Sequence, residues 1–359
     1  MRNIKIALGK NSYEIRIGSG ILNQTGSWLK ELGFSGKLVV ITDDTVMKLY
    51  GDLLRQNLVK DGFSLTMLAV PAGEEQKSLE TAARLYQELT DAHAERNTPI
   101  LALGGGVIGD LAGFVAATFM RGLPFIQIPT TLLAQIDSSI GGKVAVDHGQ
   151  LKNMIGVFYQ PVMVIADTVT LKTLPESEIA NGLAEIIKSA AIRNKNLFSF
   201  LEKNMGRLKS LEESTLEEVV FQTAKIKTEV VSQDERDAGL RNILNYGHTI
   251  GHAVEAVSDF GITHGHAVAL GMAAAAEISR RMGMLGGNEV QRLMQLIEAA
   301  GLPTRLPDLN IDAVLTAMQH DKKVKDEKIR FVLLQDIGKA MVTDNVSPAL
   351  VREVLESES

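Results

Sequence analysis

PILALGGGVIGD (Pro99–Asp110) takes a short apolar run straight into a glycine turn, in which Gly104, Gly106 and Gly109 satisfy the spacing G-x-G-x-x-G. Glycines between a strand and a helix let backbone N–H groups approach a phosphate, and the helix N-terminus that follows favours negative charge. As a dinucleotide fingerprint the match is incomplete. Such a turn ordinarily follows the first strand and has an acid about twenty residues later, where this chain has Met120 and Arg121. Instead an acid pair, Asp43 and Asp44, follows an earlier strand, where a ribose could be held. A tight structural turn competes with the preferred reading, a nucleotide site in a non-standard topology.

Outward from this turn, short apolar runs alternate with amphipathic ones. KLVVIT (Lys37–Thr42) precedes a helix-like stretch to about Lys60, SLTMLAV (Ser64–Val70) precedes another over Leu79–Asp91, and PFIQIPT (Pro124–Thr130) follows the turn. Buried strands separated by helical crossovers read as a parallel sheet with helices on its faces. MRNIKIALGKNSYEIRIG alternates like two strands around a Lys-Asn-Ser turn. From Glu176 to about Gln319 nearly every window is helical, and IRFVLL (Ile329–Leu334) is a late strand-like run. The expected fold is therefore α/β: a Rossmann-like parallel-sheet domain over 1–174, then a mostly α-helical domain over 175–359. A cleft between two such domains is a natural place for a substrate.

With 359 residues, 45% hydrophobic and 22% charged, the chain has the size and composition of a soluble globular protein of two domains. It has no cysteine, which removes disulfides, thiolate nucleophiles and Cys-based zinc sites. The N-terminus lacks the apolar core of a signal peptide, and the longest uncharged small-apolar run, Ala267–Ala276, is too short to cross a bilayer. A cytoplasmic protein without membrane contact is expected. A net charge of −6 argues against general nucleic-acid affinity, so any bound anion needs a local cluster of cations.

Arg121, Lys143, Lys152, Lys188, Lys227, Arg241 and the pair Lys322–Lys323 could form such a cluster, since most sit beside Gly, Asn or His rather than in salt-bridge ladders. Each alone reads as a solvated surface charge; together they suggest a pocket for a small phosphorylated anion. DSSIGGK (Asp137–Lys143) adds an acid and a lysine across a flexible turn. Four of the seven histidines, His248, His252, His264 and His266, fall within nineteen residues. Imidazole is the commonest transition-metal ligand and titrates near neutrality, so the cluster suggests a metal or proton-transfer site. His248 and His252 are four apart, on one helix face, and spacing alone makes both candidate ligands. Core, capping and loop histidines are the competing reading.

These segments together resemble the 3-dehydroquinate synthase family. The resemblance rests on PAGEEQKS (Pro71–Ser78), GGGVIGDLAGFVAATFMRG (Gly104–Gly122), PTTLLAQIDSSIGGK (Pro129–Lys143), LKNMIGVFYQP (Leu151–Pro161), TLKTLPESEIANGLAEIIK (Thr170–Lys188), LNYGHTIGHAVE (Leu244–Glu255) and HGHAVALGM (His264–Met272), with DKKVKDEKIRFVLL near the end. It implies a divalent metal, zinc or cobalt, on Glu185, His248 and His264, and places His252 toward the substrate phosphate. It implies NAD at Asp43, Glu74, Lys77, Gly106, Gly109, Asp110, Thr130, Thr131, Lys143, Lys152, Thr170 and Thr173. Substrate-contacting positions resemble Arg121, Asp137, Lys143, Asn153, Lys188, Lys227, Arg241, Asn245, His252 and Lys322 or Lys323.

The reaction so implied converts 3-deoxy-D-arabino-heptulosonate 7-phosphate to 3-dehydroquinate and phosphate by oxidation, elimination, reduction and aldol closure, with NAD used catalytically. The substrate's own phosphate is then a plausible base, domain closure is expected, and a homodimer is implied. Two departures stand out. Members usually read HGEAV where this chain has His264-Gly265-His266, and many read GGKTGVN where it has GGKVAVD, with Val144 and Asp147. His266 is expected to support a ligand rather than compete for the metal. Other sugar phosphate cyclases and metal-dependent polyol dehydrogenases are the rival enzymes; the dehydrogenases lack a reason for so many phosphate-directed cations. A non-catalytic metabolite-binding protein would have lost ligand positions that are intact here.

Overall fold

The structure, a computed structural model, describes residues 1–149, 151–259, 261–320, 324–325 and 328–357. It divides into two units, Met1–Leu174 with Lys227–Arg236 and Pro175–Ile226 with Asp237–Ser359. The segment Lys227–Arg236 thus groups with the first unit, although it follows the Leu174–Pro175 boundary in the chain.

The strands of the first unit are β1 (Arg2–Ile6), β2 (Tyr13–Gly18), β3 (Lys37–Asp43), β4 (Ser64–Val70), β5 (Ile100–Gly104), β6 (Phe125–Pro129), β7 (Lys143–His148), β8 (Leu151–Phe158) and β9 (Met163–Asp167). Its helices are α1 (Thr25–Glu31), α2 (Asp44–Val46), α3 (Asp52–Lys60), α4 (Leu79–Asp91) and α5 (Gly106–Thr118). Seven strands form one sheet in the order β1-β2-β9-β6-β5-β3-β4, antiparallel at β1–β2 and parallel elsewhere. In β3, Leu38 and Val40 enter one apolar core with Trp28, Leu54 and Leu58, while Val39 and Ile41 enter another with Leu85, Leu111 and Val115. Successive side chains point to opposite faces, so a strand covered on both sides must be apolar throughout. Local chemistry sets the helix starts: Ser78 Oγ accepts the Thr81 N–H, and Asp43 Oδ1 accepts those of Thr45 and Val46.

The chain leaves β3 for β4 at the sheet edge, then returns to β5 on the other side of β3. Strand order reverses between β3 and β5, and ligands of open α/β sheets bind outside the carboxyl ends at such a switch point. Those ends carry Asp43 and the glycine turn. β7 and β8 form a separate antiparallel hairpin that the sequence reading passes over; β8 is exposed along nearly its whole length and so lacks a core alternation.

The second unit is built on α6 (Glu176–Arg193), α7 (Lys195–Lys209), α8 (Glu213–Gln233, whose last residues group with the first unit), α9 (His248–Val257), α10 (His264–Arg281), α11 (Gly287–Ala299), α12 (Ile311–His320) and α13 (Pro348–Ser357). The short pair β10 (Val324–Lys325) and β11 (Lys328–Ile329) and the pair β12 (Phe331–Asp336) and β13 (Lys339–Thr343) complete it. Helices α9 and α10 touch backbone to backbone: a Cβ on Gly271 would overlap the Gly247 carbonyl, and one on Gly251 would lie 2.8 Å from the Ala267 oxygen. The small-residue run of α10 is thus a helix-packing face, and among the described residues no helix is long and apolar enough to cross a membrane.

Candidate active site

In the first unit, α5 begins at Gly106 with no side-chain cap and no acid in its first turn, which leaves its leading N–H groups open to an anion. A Cβ on Gly106 would lie 3.1 Å from Ser138 Oγ, and one on Gly109 would lie 2.7 Å from Gln127 Oε1. Ser138 Oγ is buried without a hydrogen-bond partner, next to the turn. Lys77, buried at the end of the loop carrying Glu74, donates to Asp110 Oδ2 at 2.6 Å and to Asn153 Oδ1 at 2.5 Å. Burial raises the Asp110 carboxyl above its ordinary value, against the lowering pull of Lys77. Asn153 holds a left-handed backbone (φ 57°) and donates its N–H to Asp147 Oδ1 at 2.7 Å, so Asp147 serves the β7–β8 hairpin.

The other positions fall at loop starts and turns. Thr130 N–H reaches the Gly104 carbonyl, and Thr131 Oγ1 accepts the Ala134 N–H. Thr170 Oγ1 accepts from Gln135 Nε2, while Thr173 Oγ1 lies 2.7 Å from the Tyr50 hydroxyl. Arg121 sits in a left-handed run with Met120 and Gly122 (φ 68°, 50° and 120°), strained backbone of the sort found at binding sites. Lys227 donates to Asp137 Oδ1 at 2.6 Å and to its carbonyl at 2.7 Å. Lys143 and Lys152 are exposed on β7 and β8, whereas Val144 is packed in the core.

In the second unit Glu185 and Lys188 lie on α6, His248 and His252 on α9, and His264 on α10. One donor atom each from Glu185, His248 and His264 lies within 4.8 Å of the others. His248 Nε2 and His264 Nε2 each stand 3.5 Å from Glu185 Oε1, longer than a hydrogen bond. The opposite ring nitrogens are engaged outward, His248 Nδ1 with the Tyr246 carbonyl at 3.2 Å and His264 Nδ1 with Glu255 Oε2 at 3.4 Å. That arrangement turns both Nε2 atoms toward the carboxylate. Glu185 is 2% exposed, and neither carboxylate oxygen makes a hydrogen bond of good geometry, although Lys188 Nζ lies against Oε2. Two imidazoles and a carboxylate with an unsatisfied, buried oxygen fit a zinc- or cobalt-like cation with positions left for substrate.

Electrostatics without a metal follow from the same contacts. Burial would raise the Glu185 carboxyl, but the Lys188 ammonium and the His264 ring hold it below its usual range. Burial would lower His264; the neighbouring carboxylates of Glu185 and Glu255 override it and push the ring up to about 10. The His252 ring meets that of His248 edge-on at 5.2 Å but is not in the three-donor group. His266 is outside it too, its Nδ1 2.8 Å from Thr263 Oγ1. Arg241, buried, and Asn245 lie on the turn preceding α9. Lys322 and Lys323 lie outside the described residues. Ser138, Asn181 and Glu255 carry no sequence motif of their own; Asn181 is marked by its place one turn ahead of Glu185 in IANGLAE.

Comparison with known proteins agrees from end to end. Residues 67–181 match the 3-dehydroquinate synthase N-terminal family and residues 182–324 the 3-dehydroquinate synthase C-terminal family. The chain is 51% identical to the 3-dehydroquinate synthase of Dehalococcoides mccartyi (strain CBDB1) over 356 residues, 99% of each. Its fold matches a 2-deoxy-scyllo-inosose synthase complexed with carbaglucose-6-phosphate, NAD+ and Co2+ (TM-score 0.91, 28% identity, 100% of both chains). It also matches the 2-epi-5-epi-valiolone synthase ValA from Streptomyces hygroscopicus subsp. jinggangensis 5008 with NAD+ and Zn2+ bound (TM-score 0.89, 26% identity, 98% of both chains). This chain belongs to the 3-dehydroquinate synthase family.

Proposed function

We propose that this enzyme converts 3-deoxy-D-arabino-heptulosonate 7-phosphate to 3-dehydroquinate and inorganic phosphate, a carbon–oxygen lyase reaction. The observation that carries the reading is full-length likeness to 3-dehydroquinate synthases in a chain whose Glu185, His248 and His264 converge. Glu185, His248 and His264 would hold a divalent metal. Asp43, Glu74, Lys77, Gly106, Gly109, Asp110, Thr130, Thr131, Lys143, Lys152, Thr170 and Thr173 would hold NAD. When bound, NAD exchanges a hydride with the substrate and the metal acts as Lewis acid toward its hydroxyl.

The open N-terminus of α5 offers backbone donors to a pyrophosphate, and Lys77, already paired with Asp110 and Asn153, shapes the turn beside it. Arg121, Lys143, Lys152 and Lys188 would neutralise phosphate and carboxylate. Lys227 holds Asp137 in place, and Asn153, Arg241 and Asn245 would orient the sugar acid. His252 would hold the phosphate or move a proton at its ring nitrogen. The family resemblance also supports a homodimer, which sedimentation of the full chain tests.

The deciding assay supplies the heptulosonate phosphate with NAD and Zn2+ or Co2+ and measures phosphate and 3-dehydroquinate. One phosphate per dehydroquinate, with no net NADH, is expected. Turnover of another sugar phosphate instead would establish the second reading, a different sugar phosphate cyclase, which the likeness to 2-deoxy-scyllo-inosose synthase favours. Net NADH would point to a dehydrogenase.

A further inference from the structure

Helix α10, which carries His264 as its first residue, starts without a cap of its own. Thr263 stands at the N-cap with extended backbone, yet its side chain accepts no backbone N–H, and its hydroxyl instead meets His266 Nδ1 at 2.8 Å. The leading N–H groups of a helix have no partner within it. The N–H of Gly265 finds one on another helix, donating to Asn181 Oδ1 at 3.0 Å. Asn181 is buried, and its Nδ2 donates to Glu178 Oε1 at 3.3 Å, which fixes the amide with its oxygen toward Gly265. The approach is close: a Cβ on Gly265 would lie 2.5 Å from Asn181 Cα.

Asn181 and Glu185 are four residues apart on α6 and share a face. The bond to Gly265 therefore joins α6 to α10 one turn from Glu185 and one residue from His264. Those two donors belong to different helices, so their separation is set by how the helices dock. Glu255 acts on the His264 ring from the Nδ1 side; Asn181 acts on the backbone that carries it.

We infer that Asn181 is a positioning residue, a helix cap supplied across the α6–α10 contact that sets the separation of Glu185 and His264. The inference rests on the metal-binding reading proposed above. A pin of this kind acts on affinity and coordination geometry rather than on a reacting atom, and loss of supporting contacts to metal ligands typically weakens binding about 10–100-fold.

The test uses the full chain stripped of metal and titrated with Co2+ against a competing chelator, with the visible ligand-field spectrum recorded alongside. Wild type is expected to bind one ion per chain and His264→Ala to lose it; equal binding by the two would overturn the metal reading itself, whatever Asn181 does. Given that control, Asn181→Leu, of the same branched shape though bulkier and without the acceptor, is expected to weaken Co2+ about 10–100-fold with a changed spectrum. Asn181→Asp, which keeps an oxygen in the same place, is expected to retain wild-type affinity within a few-fold and the wild-type spectrum. Unchanged binding in Asn181→Leu, or an equal loss in both variants, would overturn the inference. Should Asn181→Leu fail to fold, Asn181→Asp decides: a wild-type spectrum supports the role and a changed one overturns it.

Discussion

The glycine turn of the first unit and the three-donor group of the second treat their polar atoms in opposite ways. Around the turn the charged side chains are already engaged with one another or with backbone: Lys77 with Asp110 and Asn153, Lys227 with Asp137, Asp43 with its own helix start. What remains open is backbone and shape. In the second unit two imidazoles, held through Nδ1 by the Tyr246 carbonyl and Glu255, aim their Nε2 atoms at a buried carboxylate that lies against Lys188 without a hydrogen bond of good geometry. A site of the first kind keeps its form when empty. One of the second kind brings buried charge and ring nitrogens together in an arrangement that an incoming cation would rearrange.

The sharpest way to break this contrast is His264→Ala. Loss of one donor of three should weaken Zn2+ or Co2+ by more than about 100-fold, beyond what supporting residues contribute, and abolish turnover. Metal analysis after gel filtration checks it, and retention of one ion per chain would move the site elsewhere. Next comes Lys77→Met in the first unit, which strands the Asp110 carboxylate. Because the Asp110 side chain keeps 17% exposure, the loss should be about 2–3 kcal/mol, under the value for a dry pair. Asp110 is already raised, and without Lys77 it rises further. A raised carboxyl binds its proton more readily in the folded state, so stability falls as pH climbs from the ordinary value of 3.8 through the folded one. The variant should therefore lose more at pH 8 than at pH 5 in urea melts. An equal loss at both would mean that Asp110 is not what Lys77 compensates.

The third effect belongs to the metal group. His264 of the metal-free protein is raised to about 10, so its pairing stabilises the fold below the ordinary value near 6.5 and is lost as pH rises through about 10. A ligand must be neutral, so binding at pH 7–9 should expel about one proton and tighten roughly tenfold per pH unit. Calorimetry in buffers of different ionisation enthalpy counts that proton; heats independent of buffer would show His264 unprotonated beforehand. The smallest effect is expected of His266→Glu, which should leave one metal per chain and change stability by less than about 1 kcal/mol, since His266 lies outside the three-donor group and its ring meets the Thr263 hydroxyl, a partner that a glutamate can keep. A fall in metal content would make His266 a ligand.

The two regions are also unequally legible in the sequence. β4 and α4 can be read residue for residue, because Ser64–Val70 is bounded by turns and Ser78 marks a helix start. The glycine turn is legible for the same reason: local backbone chemistry is written locally. The histidine excess is visible, but spacing alone favours His252 over Glu185, which lies on a helix far upstream and enters only through the family resemblance. Asn181 and Glu255 have no pattern of their own, since their parts depend on α6, α9 and α10 meeting. With the glutamate usual in the family, Thr263 would open a T-x-x-E capping box at α10, and His266 in the glutamate's place still meets Thr263. That gives the departure at this position a local physical meaning.

The placement of β9 governs how the chain can be made. β2 is paired with β1 on one side and β9 on the other, and β9 alone links that hairpin to β6 and the rest of the sheet. A growing polypeptide must expose the far edge of β2 until Asp167 has emerged, and Asp137 waits longer still, for Lys227. Synthesis therefore reaches α6 and α7 before the first unit is complete. Cutting the gene at Leu174 would yield a fragment whose Asp137 lacks the Lys227 ammonium, and slow, non-local strand pairing of this sort is where aggregation competes with folding.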